Sequence, residues 1–312
     1  NTAMLEIKNL KKTKKEAPAK NKVEKRNLEP KSLGNYETNI KDMGEYYVDE
    51  GSATSIYSKS HETTVVKIET ENGIVGWGEA QSPVSPNTTA TIIKDIVEPL
   101  TIGKDIYDVE SIWHNNYSSK RERGHYTGFY IDAICGVDIA IWDAIGKSLN
   151  MPTCKAMGGA HRKSVALYNG IGGTEPEEVA DQAEWSVSKG YKFVKMHLKE
   201  NLEKDIEIAR KVRERVGDSI GIMIDVHMGF DTFNVIKLGK ELEKLNLLWI
   251  ESPSDPTDIP GLCEISRSLD IPIANGEWTR TKYEMREIFE KRAYDISMPD
   301  IARTGLTGGK QI

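Results

Sequence analysis

The second half of the chain alternates short apolar runs with stretches of helical periodicity. Repetition of this strand-then-helix pattern indicates parallel strands joined by crossover helices. An open doubly wound sheet and a closed (β/α)-barrel both fit the pattern. However, no glycine-rich phosphate loop follows the first strand, which disfavours a dinucleotide-binding sheet. A capping box at Thr174–Glu177 predicts the start of one helix, and the predicted strands are 165–168, 193–196, 221–224, 247–250, 271–274 and 296–298.

The first half of the chain predicts a smaller α+β unit. Two apolar runs flank Asn72-Gly73, a turn pair typical of a β-hairpin, and residues 131–148 carry apolar side chains at helical spacing. We therefore expect three parts, which are a basic, irregular N-terminal segment with the first part of the small domain (1–60), an α+β domain (61–160) and a β/α domain (161–312).

Composition and charge exclude several classes of protein. The 312 residues are 38% hydrophobic and 29% charged, which is typical of a globular protein. No apolar run reaches the roughly 18 residues of a transmembrane helix, and the net charge of −6 predicts no overall attraction to nucleic acid. Three widely separated cysteines favour a reducing, cytoplasmic location. Lysines crowd residues 8–32 without interleaved aromatics, so we interpret this stretch as a solvated loop rather than a basic arm for a partner.

Ionisable residues close successive predicted strands of the β/α domain. They recur at intervals of one βα unit, which places them together at the carboxyl edge, where barrels of this type carry their active sites. Several converging carboxylates repel one another unless a cation lies among them, and oxygen ligands suit Mg²⁺. A single acid at a strand end is more often a helix cap or an ion-pair partner, but three in successive units favour a metal site. The predicted Mg²⁺ ligands are Asp225, Glu251 and Glu277.

Over roughly residues 60–312 the sequence resembles the mandelate racemase-like subgroup of the enolase superfamily. The resemblance implies a modified TIM barrel with an α+β capping domain, one Mg²⁺ and a Lys or His base that removes a proton α to a carboxylate. The segments that carry it are Gly73–Ala80, Gly136–Asp143, Val194–His197, Gly221–His227, Trp249–Pro253, Asn275–Glu277 and Met298–Asp300.

The same resemblance assigns roles to individual residues. Lys195 would lie beside the substrate carboxylate, and His197 stands where the family often has a second Lys as base. His227 would act as the general acid that sugar-acid dehydratases of the family have at this position. In the family Asp300 orients a His, but no His follows His227 in this sequence. The candidates for substrate binding, chosen for their hydrogen-bonding groups, are Tyr47, His125, Tyr126 and Arg280.

These assignments predict a Mg²⁺-dependent dehydratase of aldonates or aldarates that eliminates the 3-hydroxyl through an enediolate. The alternatives are a racemase, epimerase or cycloisomerase of the same superfamily, or a non-catalytic relative that binds metal and acid sugars. The expected partners are a small carboxylate substrate and further copies of the chain in a homo-oligomer, without nucleic acid or membrane. The sequence stops at Ile312, about two βα units before such a barrel would close, so we expect a C-terminally truncated barrel that is unstable alone.

Overall fold

The computed structural model describes residues 5–7, 11–12, 39–50, 54–198 and 201–312. Of the basic segment 8–32, only Lys11 and Lys12 are among these residues, so the interpretation of that segment lies outside the described part of the chain.

The N-terminal domain combines two antiparallel sheets with a group of helices. The strands are β1 (Leu5–Ile7), β2 (Lys11–Lys12), β3 (Asn39–Met43), β4 (Tyr46–Glu50), β5 (Thr54–Ser58), β6 (Thr64–Thr70) and β7 (Val75–Ala80). β6 pairs with β7 and with β1 and β2, whereas β3, β4 and β5 form a separate sheet in that order. The helices are α1 (Pro86–Ile92), α2 (Glu98–Thr101), α3 (Val109–Ser119), α4 (Phe129–Ser148) and α5 (Thr153–Ala156), with a π-helical turn over Ile93–Val97 and 3₁₀ turns over Ile106–Asp108 and Arg121–Arg123.

Helix α4 is the centre of the N-terminal domain. Most of its 20 residues are buried, because it packs against the β6–β7 hairpin on one side and other helices elsewhere. The predicted hairpin is confirmed, and Gly73 takes the positive φ of 81° that its turn requires. On β7, a Cβ added to Gly78 would lie 2.1 Å from the carbonyl oxygen of Gly136. The absence of a side chain at Gly78 therefore sets how closely α4 approaches the sheet.

The C-terminal domain has the predicted alternation of strands and helices. Its elements are β8 (Asn169–Gly172), α6 (Pro176–Ser188), β9 (Phe193–His197), α7 (Leu202–Val216), β10 (Gly221–Asp225), α8 (Thr232–Leu242), a 3₁₀ turn (Glu243–Leu245), β11 (Trp249–Glu251), α9 (Ile259–Ser268), β12 (Ile273–Asn275), α10 (Lys282–Lys291), β13 (Ile296–Ser297) and α11 (Ile301–Gln311). The described strands form one parallel sheet in chain order. The predicted fold, a capping domain and a parallel barrel-like α/β domain, is confirmed.

Two local predictions in the C-terminal domain are wrong. The first strand is Asn169–Gly172 rather than 165–168, because pairing with β9 fixes its position, while Val165 and Leu167 are exposed. The capping box at Thr174–Glu177 does not form, since α6 begins at Pro176 with Glu175 as an N-cap whose side chain accepts no capping hydrogen bond. Proline is well placed in the first helical turn because it has no N–H to leave unsatisfied.

The two domains meet where α4 packs against α11. The thiol of Cys135 donates to the carbonyl oxygen of Arg303 at 3.0 Å, and the indole N–H of Trp142 donates to the hydroxyl of Thr307 at 2.9 Å. Between them, the carboxylate of Asp138 accepts hydrogen bonds from the backbone N–H and the hydroxyl of Thr307. This polar face of α4 fixes α11, and hence the start of α11 next to β13, against the capping domain.

Candidate active site

Strand register brings the predicted site residues side by side. His197 pairs with Asp225 across β9 and β10, and Asp225 pairs with Glu251 across β10 and β11. Gly172 of β8 pairs with His197 at the same level. Because all these strands are parallel, their carboxyl ends form one edge of the sheet. Glu277 lies two residues beyond the end of β12 at the same edge.

The ammonium group of Lys195 lies between the carboxylates of Asp225 and Glu251. Its Nζ donates to Glu251 Oε1 at 2.8 Å and to Asp225 Oδ2 at 3.2 Å, and all three side chains are at most 10% exposed. Burial alone would lower the pKa of Lys195, but the hydrogen bond to Glu251 and the two negative charges outweigh it and raise the pKa to about 12. Lys195 is therefore a fixed cation in this site rather than a proton acceptor at neutral pH.

The two candidate histidines lie on either side of Asp225 in the sequence. His197 has Nδ1 3.4 Å from Asp225 Oδ2 and a side chain that is 55% exposed. Burial and the nearby Lys195 charge lower the pKa of His197, partly opposed by Asp225, which favours the neutral imidazole that a base needs. His227 has a positive φ of 45°, and its backbone N–H donates to Asp225 Oδ1 at 2.9 Å. Such a conformation is uncommon outside glycine and recurs at functional sites.

The third predicted ligand, Glu277, shares this electrostatic environment. Burial and the charges of Asp225 and Glu251 raise the pKa of Glu277, with Arg303 and Lys195 acting in the opposite direction. Among the described residues, no group of three or more His, Cys, Asp or Glu side chains is placed closely enough to hold a metal. The three acids nevertheless fit Mg²⁺ in chemistry, because they supply only oxygen ligands from successive strand ends. In the described arrangement the Lys195 ammonium stabilises the carboxylates of Asp225 and Glu251.

Asp300 and Arg280 make structural contacts. Asp300 is the N-cap of α11, where its Oδ1 accepts from the N–H of Ala302 at 2.9 Å, and its Oδ2 lies 3.7 Å from Arg303 Nε. Arg280 binds the carboxylate of Asp132 on α4 with Nε at 2.8 Å and Nη2 at 3.1 Å. This ion pair bridges the two domains beside the site, so the guanidinium of Arg280 is largely committed to the capping domain. The predicted catalytic role of Asp300 and substrate-binding role of Arg280 stay predictions.

The remaining substrate-binding candidates belong to the capping domain. Tyr47 lies on β4, where its ring stacks on Tyr57 at a centroid distance of 5.5 Å. His125 and Tyr126 are exposed in the loop that precedes α4. In the same loop, the hydroxyl of Thr127 donates to Glu284 of the barrel-like domain at 2.7 Å. The structure brings this loop to the C-terminal domain, and the roles of these three candidates stay predictions.

Two residues at the site escaped the sequence analysis. The rings of Trp278 and His227 lie edge-on, with their centroids 6.1 Å apart. The guanidinium group of Arg303 lies over the Trp278 ring, with its carbon 4.9 Å from the ring centroid. Trp278 thus contacts both His227, the predicted general acid, and Arg303, which lies near Asp300. Its position directly after Glu277 was a usable signal, whereas the place of Arg303 depends on how α11 begins.

The fold and the site define a capped parallel β/α protein with charged residues at its strand ends. Residues 49–158 match the family model of the mandelate racemase / muconate lactonizing enzyme N-terminal domain, and residues 178–312 match the enolase C-terminal domain-like model. The chain belongs to the mandelate racemase / muconate lactonizing enzyme family of the enolase superfamily. Members of this superfamily are metal-dependent.

Known relatives include a dehydratase and a cycloisomerase. Arabinonate dehydratase of Saccharolobus solfataricus is 32% identical over 248 residues, which are 78% of this chain and 66% of the relative. D-galactarolactone cycloisomerase of Agrobacterium fabrum is 29% identical over 246 residues, covering 77% of this chain and 64% of the relative. A crystal structure of an enolase superfamily member from Agrobacterium tumefaciens has a TM-score of 0.83 at 25% identity, covering 100% of this chain and 76% of that one.

The chain thus spans about two thirds of the length of the curated relatives it matches. Within the described residues, no helix has the length and apolar character that a membrane crossing requires.

Proposed function

We propose that this chain carries the active site of a Mg²⁺-dependent acid-sugar dehydratase, a hydro-lyase acting on an aldonate or aldarate. The observation that supports this most strongly is the grouping of Lys195, His197 and His227 around Asp225. Elimination of water needs a base for the α-proton, an acid for the departing hydroxyl and a positive environment for the carboxylate. Lys195 and His197 contact the Asp225 carboxylate with their side chains, and His227 contacts it with its backbone N–H, so all three residues lie at one strand edge.

In this proposal each proton has a donor and an acceptor. Nε2 of His197 takes the proton from C2 of the substrate, and a ring nitrogen of His227 gives a proton to the 3-hydroxyl, which leaves as water. The Lys195 ammonium keeps its proton, since its pKa is about 12, and attracts the substrate carboxylate. The enol that remains tautomerises to a 2-keto-3-deoxy acid.

Asp225, Glu251 and Glu277 would hold the cation. When bound, Mg²⁺ offsets the second negative charge that develops on the substrate carboxylate. Lys195 donates to Asp225 Oδ2 and Glu251 Oε1, so its positive charge would oppose that of the cation at these two carboxylates.

Calorimetric titration with Mg²⁺ tests this assignment. Glu251→Gln should weaken binding strongly, because it removes one negative ligand. Lys195→Met should bind at least as tightly as wild type, because it removes the competing charge. Glu264→Gln, an exposed acid on α9, is the matched control and should bind like wild type. Equal affinity of wild type and Glu251→Gln would show that the strand-end acids do not hold the ion.

Activity distinguishes dehydration from its alternatives. With a panel of sugar acids and Mg²⁺ in D₂O, a dehydratase forms 2-keto-3-deoxy acids, and His197→Gln should abolish this product. Deuterium incorporation at C2 without loss of water would instead support a racemase or epimerase, and ring opening of a lactone a cycloisomerase like the relative from Agrobacterium fabrum. Ligand binding without exchange or product would indicate a non-catalytic relative.

A further inference from the structure

We propose that the absence of a side chain at Gly170 keeps Nε2 of His197 open to the substrate. This inference rests on the proposed function, in which His197 is the base. The imidazole of His197 is oriented toward Asp225 through one of its two ring nitrogens. Nδ1 lies 3.4 Å from Asp225 Oδ2, so Nε2 is the ring nitrogen that faces away from the carboxylate.

Strand β8 lies directly beside this imidazole. Gly170 pairs with Lys195 and Gly172 pairs with His197, so both glycines lie on the face of the sheet that carries the site. Asn169 and Ile171, which alternate with the two glycines along β8, face the other way. Ile171 belongs to the apolar core, and Asn169 donates to the hydroxyl of Ser186 on α6 at 2.8 Å.

The backbone conformation at position 170 does not require a glycine. Gly170 has no positive φ, so an L-residue could take its place without strain. A glycine inside a strand costs about 0.5–1 kcal/mol relative to alanine and commonly marks a close approach by a ligand or another backbone. Among the described residues, a Cβ added at Gly170 would have one neighbour within 4 Å, which is Nε2 of His197 at 3.8 Å. A branched or longer side chain at this position therefore has atoms that can cover that nitrogen.

The neighbouring glycine provides a matched control. A Cβ at Gly172 would lie 3.4 Å from the carbonyl oxygen and 3.8 Å from the Cβ of His197, not near its ring nitrogens. Alanine at 172 therefore adds the same volume to the same strand without covering Nε2.

Acylation of histidine by diethyl pyrocarbonate measures access to the nitrogen directly. The full chain is treated at one fixed pH, and modification of His197 and His227 is followed by peptide mass analysis. We expect Gly170→Val to slow His197 acylation about tenfold, a barrier increase of about 1.4 kcal/mol. Gly170→Ala should slow it about twofold to threefold, a barrier increase of about 0.5 kcal/mol. Gly172→Ala should leave the rate unchanged, and His227 serves as the internal reference in every variant.

The outcomes separate this inference from the proposed function. Equal His197 rates in wild type, Gly170→Ala and Gly170→Val would overturn the role of Gly170. If Gly170→Val fails to fold by circular dichroism, the Gly170→Ala rate decides alone. Slower acylation in a chain that turns over no sugar acid would refute the proposed dehydratase and leave the steric role standing. Turnover by Gly170→Val equal to wild type would refute the inference and leave the dehydratase standing.

Discussion

Replacing Asp138 with Asn should make the protein more stable at neutral pH and less stable in mild acid. Asp138 is 2% exposed and lies between the domains, where it accepts hydrogen bonds from the backbone N–H and hydroxyl of Thr307. Burial raises the pKa of Asp138 from 3.8 to about 6, although the hydrogen bonds from Thr307 and the N–H of Leu306 act against the shift. Near pH 4 the carboxyl is protonated in the folded state, and near pH 7 it must carry a buried charge.

The sign and size of the effect follow from linkage. Because the pKa is higher in the folded state, that state binds more protons between pH 3.8 and about 6, so stability falls as pH rises through this range. The shift corresponds to about 3 kcal/mol, with a steepest slope of about 1.4 kcal/mol per pH unit. Asn has no charge to bury. The variant should therefore gain about 3 kcal/mol on wild type between about pH 3 and pH 7, after an initial loss of about 1 kcal/mol for its imperfect hydrogen bond to Thr307.

Urea unfolding followed by far-ultraviolet circular dichroism measures this difference at each pH. Glu110→Gln changes the charge in the same way at an exposed position on α3, and it reports how much of the slope comes from removing any negative charge. A difference between wild type and Asp138→Asn that does not change with pH would refute the reasoning, because it would show that Asp138 titrates alike in both states.

Three further predictions, on packing, helix capping and domain contacts, can be tested by urea unfolding. Gly78→Ala should cost more than about 3 kcal/mol or prevent folding, since its Cβ would lie 2.1 Å from the carbonyl oxygen of Gly136. In the described part of the chain, a Cβ at Gly308 would meet nothing closer than 3.6 Å, so Gly308→Ala should be tolerated. Thr281→Val removes the observed capping box of α10 and should cost about 1 kcal/mol. Asp132→Asn should cost about 3–5 kcal/mol, because it leaves the guanidinium of Arg280 without its carboxylate, and Arg280→Met in the same chain should recover part of that loss. A double variant no more stable than Asp132→Asn would show that the two residues are not coupled.

The sequence predicted the elements whose pattern is long and regular. Helix α4 carries apolar residues over its full length, and its predicted range of 131–148 differs from the observed helix by two residues at one end. The first strand of the barrel-like domain was misplaced, because Tyr168–Gly172 contains two glycines and reads poorly as a strand. Its position is set by hydrogen bonds to β9, which is not local information.

Two candidate capping boxes also show that a local sequence motif does not by itself decide whether a structure forms. Thr174–Glu177 and Thr281–Glu284 share the spacing of the motif, but only Thr281 and Glu284 exchange the two hydrogen bonds. At the first site Pro176 already fixes the start of the helix one residue later than the motif requires. Glu284 also accepts from Thr127 of the capping domain, so the second box is held by tertiary contacts as well. Spacing identifies candidates, and the contacts of the folded chain choose among them.

In the candidate site, too, sequence spacing identified the residues, whereas the contacts of the folded chain set the net charge. Strand ends predicted which residues meet, because parallel strands bring their carboxyl ends to one edge. They did not predict that Lys195, two residues before the end of β9, extends its flexible stem to the level of Asp225 and Glu251. With Glu277, the three carboxylates and the one ammonium leave two negative charges when all are ionised. A divalent cation balances that charge and a monovalent cation does not. Lys195 thus sets the net charge that the proposed site presents to a divalent ion, and the Mg²⁺ affinity of Lys195→Met, in which that charge becomes minus three, tests its effect.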